Sequence, residues 1–250
     1  MRRYSIIALT FGSLLLVAAN APQATDPRAL VEKAAEAHGG LANLEKHPAG
    51  TIAVKGAYLL RGQEIPFTGR SVYQLPDRIK SSMDLVLPGG QQSIVQILNG
   101  NQAAMYVAGI AQQVSDAQLQ EMRLSAYCRN VCRLAPLLKD SKFTLASAGE
   151  KTQDGRKLLG VRVSHPGQKD VTLYFDAETH LLAALERPGF DANGKSVEQQ
   201  DQYSDYRTAG GLKYAGKTRI TQFGKPVLQS EVTEFTPLER VEPRELAIGP

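Results

Sequence analysis

Between residues 51 and 236 the chain keeps returning to one pattern: apolar and polar residues alternate, and glycine, proline, asparagine or aspartate breaks the run at short intervals. A period of two sends successive side chains to opposite faces of an extended strand, so each run reads as a strand with one dry and one wet face. Ile52, Val54, Gly56, Tyr58 and Leu60 alternate with Ala53, Lys55 and Ala57, and Ile79, Met83, Leu85 and Leu87 with Arg78, Lys80, Ser82 and Asp84. Turn signals separate the runs at Arg61-Gly62, Pro76-Asp77, Pro88-Gly89-Gly90 and Asn99-Gly100-Asn101. Links this short join antiparallel neighbours, because a parallel pair needs a crossover. Further strands are predicted over residues 143–148, 158–164, 171–175 and 181–186, followed by three longer, more polar ones that end near Thr236. The count is about eleven, and the class is mainly β with helices, α+β.

One helical stretch precedes the alternation and another interrupts it. Asp26 and Pro27 supply an N-cap and a first-turn proline, Leu30, Ala34 and Ala37 follow at helical spacing, and Gly39-Gly40 stops the helix after His38. Mid-chain, Ser115-Asp116-Ala117-Gln118 reads as a capping box. The helix it opens runs to about Leu134, with Pro136 starting a final turn. Leu119, Met122, Ala126, Val131 and Leu134 form one apolar stripe, widened by Leu124, Cys128 and Ala135. A helix this apolar on one side lies on an apolar surface.

The first residues predict export. Arg2 and Arg3 precede an uncharged apolar run from Ile6 to Ala19, and small residues cluster at Ala18, Ala19 and Ala21. A run of 14 residues suits a signal peptide and falls short of the ~20 needed to span a bilayer. The expected division is a signal peptide over residues 1–21 and one β domain over 22–250, with no stable membrane anchor after cleavage. Without Arg2 and Arg3 the formal charge falls from +4 to +2, and the remaining charges alternate in sign. No basic stripe interleaved with aromatics is present, which argues against nucleic acid as a partner.

No cluster spells out a reaction. The four histidines, His38, His47, His165 and His180, fall outside metal-ligand spacing with one another and with Cys, Asp or Glu. Serine lacks a strand–turn–helix elbow, and no glycine-rich loop opens a helix. Asp201 and Asp205 are four apart on a predicted strand, about 13 Å, too far to couple; a solvated strand face is expected for them. No catalytic residue, metal or cofactor is therefore assigned, and an enzyme is not expected. Cys128 and Cys132 share a helix face at i, i+4. Their Cβ atoms there are about 5–6 Å apart against the roughly 3.5–4.5 Å a disulfide needs. An oxidising compartment favours the bond, and two core thiols are the alternative.

Three phrases resemble the periplasmic LolA/LolB-like superfamily: Ala37-His38-Gly39-Gly40; Leu173-Tyr174-Phe175-Asp176 with Thr179 and Leu181; and Tyr203-Ser204-Asp205-Tyr206-Arg207 ahead of Gly211-Leu212-Lys213-Tyr214. The resemblance implies an unclosed antiparallel half-barrel, lidded by helices, that holds a lipid or a lipoprotein acyl chain. The mid-chain helix pair would be the cover. Where cover and sheet do not meet, an apolar cavity results. Its expected lining is Tyr58, Met83, Leu85, Leu173 and Phe175 from strands, with Leu119 and Met122 from the lid. The resulting expectation is a periplasmic carrier or binder of a hydrophobic ligand. The alternative is an envelope sensor or protein-interaction module on the same fold, with the polar strands near residues 197–207 and 213–223 as its contact face.

Overall fold

The computed structural model describes residues 26–60, 62–190 and 195–249; the leader expected over residues 1–21 lies outside them. Helices α1 (Pro27–Ala37) and α2 (Leu41–Lys46) precede a meander of six strands: β1 (Ala49–Leu60), β2 (Gln63–Gln74), β3 (Arg78–Leu87), β4 (Gly90–Asn99), β5 (Gln102–Val107) and β6 (Ile110–Gln112). Helices α3 (Asp116–Cys132) and α4 (Ala135–Lys139) lead to a second meander of seven: β7 (Thr144–Gln153), β8 (Arg156–Ser164), β9 (Val171–Asp176), β10 (Leu182–Phe190), β11 (Ser196–Ala209), β12 (Leu212–Gln222) and β13 (Lys225–Leu238). All thirteen form one sheet in the order β6-β5-β4-β3-β2-β1-β13-β12-β11-β10-β9-β8-β7. The alternation suggests about eleven; β6, with three residues, is too short to show a period. Chain neighbours pair everywhere except at the centre, where β1 and β13 run antiparallel from Ala49↔Leu238 to Tyr58↔Leu228. That long-range ladder joins two local meanders. The end strands β6 and β7 do not pair with each other, so the half-barrel stays open.

The main core lies on the face that carries the helices. Leu30, Val31, Ala34 and Ala35 of α1, Leu44 of α2, Leu124, Tyr127, Cys128 and Val131 of α3, and Ala135 and Leu137 of α4 pack with Val161, Leu173, Phe175 and Leu185 of the second meander. All four helices therefore make the cover, not the mid-chain pair alone. Each large apolar side chain sealed here contributes roughly 1.5–3 kcal/mol. Leu134, which breaks α3 from α4, adopts φ 64° yet is wholly buried. Such a sparsely populated backbone conformation costs about 1–3 kcal/mol in a non-glycine residue, and burial of the leucine offsets it.

The phrases that carry the family resemblance are joints in this architecture. His38 caps α1: its Nδ1 donates to the Ala34 carbonyl at 2.7 Å, Nε2 accepts from the Leu182 amide at 3.4 Å, and its ring meets Tyr206 edge-on at 5.5 Å. The Tyr206 hydroxyl donates to the Leu182 carbonyl at 2.6 Å, and the Lys213 amide to the His38 carbonyl at 3.0 Å. Gly39 has φ 119°, and a Cβ there would stand 2.3 Å from the Gly211 carbonyl oxygen. Only glycine fits. Asp176 accepts from the Glu178 and Thr179 amides and the Thr179 hydroxyl, which folds the β9–β10 turn. On the opposite face of the sheet, Val241 and Leu246 pack with Ala49 and Val72, so the C-terminal segment makes a small second core.

Candidate functional site

Helix α3 lies between the two arms of the open sheet. One side, with Leu124, Tyr127, Cys128 and Val131, belongs to the core of the second meander. The other side reaches the first: the Arg129 guanidinium sits 5.0 Å above the Tyr73 ring of β2, and Gln118 Nε2 approaches Met105 Sδ of β5 at 3.6 Å. Leu119 and Met122, on that same side, are half-buried.

Strand register arranges the facing residues into rows. One row runs Val232, Val54, Gly69, Met83, Ile94 and Val107 across six strands. Another runs Ile220, Leu228, Tyr58 and Ile65. Apart from buried Val232 these residues are only half-buried. Between the rows Phe67 pairs with Leu85, and the Tyr58 and Phe67 rings stand 5.3 Å apart. Gly56 makes room for that arrangement, since a Cβ there would come within 2.8 Å of the Phe67 ring.

Of the expected lining, Tyr58, Met83 and Leu85 share this half-open face. Leu173 and Phe175 do not; both are 0% exposed, sealed under α1, α3 and α4. The reason is the cover: helices close the face of the second meander and leave that of the first partly open. Phe67, Ile94, Leu228 and Ile220 join the face without having been picked out in the sequence. Their alternation was visible, but which strands become neighbours was not.

A polar cluster ends the second row. Asp201 is the β11 partner of Ile220, and it is 8% exposed, not on the solvated face its sequence suggests. Arg187 Nε donates to Asp201 at 3.3 Å and Arg187 Nη1 to Glu121 of α3 at 3.0 Å. Gln199 donates to the other Asp201 oxygen at 2.7 Å, and Ser125 to Glu121 at 3.2 Å. Burial works against the Arg187 charge, but Asp201 and Glu121 outweigh it and hold the guanidinium protonated. The cluster ties α3 to the sheet.

Cys128 is buried, Cys132 half-buried, and both are free thiols. Cys132 Sγ lies 4.0 Å from the Tyr203 hydroxyl. Burial pushes the Cys132 thiol up to about 12 and raises Cys128 as well, so neither is a thiolate near neutral pH. Among the described residues no three His, Cys, Asp or Glu side chains group as a metal site, and no helix is long and apolar enough to cross a membrane. Among the clefts, one of about 730 Å³, lined by Glu186, Arg187, Glu198, Gln199, Gln200 and Phe223, adjoins this polar cluster, and one of about 460 Å³ at the gap between the arms is lined by Tyr127, Phe143 and His165. Charged and amide groups line the first, and the rings of the second pack on one another.

No protein-family profile matches the sequence, and no curated protein matches it either. Solved structures do match. A DUF1329-family protein from Desulfovibrio piger aligns with TM-score 0.56 at 10% identity, over 90% of this chain and 98% of that one. A domain assigned to outer-membrane lipoprotein sorting from Vibrio parahaemolyticus gives 0.52 at 8%, over 90% and 97%. A LolA-superfamily protein from Nitrosomonas europaea gives 0.51 at 10%, over 90% and 98%. Likeness at such identities speaks for architecture, and the architecture is LolA-like: an open antiparallel half-barrel with helices in its concavity.

Proposed function

We propose that this protein, once exported, binds a hydrophobic ligand, a lipid or a lipoprotein acyl chain, on the half-open face of its first meander. The observation that carries this reading is the contrast between the arms. Leu173, Phe175 and Leu185 are at most 1% exposed, whereas Tyr58, Met83, Leu85, Ile94, Ile220 and Leu228 on the same face remain half-buried. A folded chain buries apolar area at about 25 cal/mol per Å², so contiguous apolar side chains left half-covered beside a helix suit an occupant. The lipoprotein-sorting assignment of a protein with this fold supports the ligand class by analogy. Native mass spectrometry of protein purified from its own envelope tests the idea. Co-purifying lipid that organic extraction removes is the expected result, and protein that never carries lipid in any preparation overturns it.

A second reading has its own observation. Leu60, Val86, Ile110 and Phe223 are 43%, 56%, 68% and 70% exposed. All sit at turns on the same rim of the antiparallel sheet: β1–β2, β3–β4, β5–β6 and β12–β13. Such a rim suits contact with an envelope protein. Changing Val86 and Phe223 to serine would then abolish partner binding while leaving lipid occupancy intact.

A further inference from the structure

The large apolar side chains left most exposed are not scattered. The hairpins β5–β6, β3–β4, β1–β2 and β12–β13 are consecutive along one edge of the sheet, and each carries one: Ile110, Val86, Leu60 and Phe223. A hairpin advances the sheet by two strand spacings, so the tips stand about 10 Å apart in a line of about 30 Å. The opposite edge is the control. Its hairpins turn at Asp77, Gly100-Asn101, Asp154-Gly155, Glu178-Thr179 and Gly210-Gly211, and none of these turns carries an exposed large apolar side chain. Backbone geometry sharpens the contrast. Asp154-Gly155, Ala108-Gly109 and Phe223-Gly224 all start at φ 50° and continue at 74°, 78° and 71°. Such turns favour Asn or Asp ahead of Gly, and a bulky residue at that φ is an outlier. Phe223 adopts it while 70% exposed, so folding offsets neither its strain nor its exposure. The tip segments, residues 60–63, 86–90, 107–110 and 222–225, contain no Asp or Glu, and their charges are Arg61 and Lys225. Just inside the tips runs the row Ile65, Tyr58, Leu228 and Ile220 of the half-open face.

Resting on the ligand binding proposed above, we infer that this rim docks on a lipid bilayer. Its four tips sit among the headgroups, and an acyl chain leaving the membrane meets Tyr58 and Leu228 first. Single tips set apart from one another suit a fluid surface, which accepts each independently, whereas a protein partner would need a matched pocket for every tip. Apolar tips gain by burial at the interface, and basic charge without carboxylates agrees with anionic lipid. The chain has no tryptophan, so Phe223→Trp and Glu178→Trp place single reporters on the two rims. Each exported, processed protein is mixed with vesicles of phosphatidylethanolamine and phosphatidylglycerol. Phe223→Trp emission should shift to the blue and be quenched by lipids brominated near the headgroup, and Glu178→Trp emission should not change. Leu60→Ser, Ile110→Ser and Phe223→Ser together should weaken vesicle flotation at least tenfold, yet leave binding of a soluble apolar fluorophore at the wild-type level. No response from Phe223→Trp, or flotation untouched by the three serines, overturns docking, and intact fluorophore binding then leaves the ligand reading standing. Absent flotation, with an envelope protein that wild type retains and the serine variant releases, gives the rim to that protein and overturns docking too. A wild type that binds no fluorophore overturns the ligand reading, and the tryptophan response judges docking separately.

Discussion

Replacing Arg187 with methionine keeps an unbranched stem and removes the guanidinium from the joint between α3 and the sheet. The Arg187 side chain is 8% exposed, with partners Asp201 at 11% and Glu121 at 33%. Removing one member of a buried ion cluster costs about 3–5 kcal/mol, because the charges left behind lose their counter-charge but not their burial. Asp201 keeps its bond from Gln199, and Glu121 has enough exposure to turn toward water. The expected loss is therefore at the low end, about 3 kcal/mol. Urea unfolding followed by far-ultraviolet circular dichroism measures it, since the chain has no tryptophan. A deficit below about 1 kcal/mol would refute the reasoning.

Three more outcomes are expected. Burial holds the His38 pKa below its ordinary 6.5, partly opposed by the Ala34 bond and reinforced by Lys213. The unfolded chain therefore binds the proton more readily, and stability present above pH 6.5 should fall as pH drops toward the folded value; His38→Gln should flatten that slope in urea melts. Gly39→Ala should destabilise by about 2–4 kcal/mol, through a strained φ and a clash with the Gly211 carbonyl, and calorimetry showing an unchanged Tm would count against it. Cys128 and Cys132 should react slowly with a thiol reagent at pH 8 in the native state and promptly in urea, because burial raises both thiols; rapid native reaction of two thiols would place them outside the core.

Local grammar was legible in the sequence, and long-range pairing was not. Period-two runs and turn residues marked nearly every strand of both meanders, the Ser115 capping box marked the start of α3, and Asp26 with Pro27 marked α1. Those signals depend on neighbours a few residues apart. The β1–β13 ladder joins residues nearly two hundred positions apart and leaves no local trace, yet it decides which strands form each row. Hence Tyr58, Met83 and Leu85 were identifiable as inward-facing, while their neighbours Ile220 and Leu228 were not. The same gap explains Leu173 and Phe175: alternation gave the face, but α1 covers it, and helix placement is not written in strand periodicity. Asp201 failed for a related reason. A carboxylate on a polar strand is solvated unless a partner arrives from elsewhere, and Arg187 and Glu121 come from a different strand and a helix.

Titration with a polarity-sensitive apolar fluorophore, using wild type and two single-site variants, tests the binding face most directly. Met83 lies at the centre of the half-open row, whereas Val86 of the same strand points to the opposite face and is 56% exposed. Wild type should show saturable one-site binding. Met83→Lys should weaken it at least tenfold, since a charge at that position must be desolvated on binding, and Val86→Lys should leave it unchanged. Binding that never saturates, or that survives Met83→Lys as well as it survives Val86→Lys, would contradict a ligand site on this face.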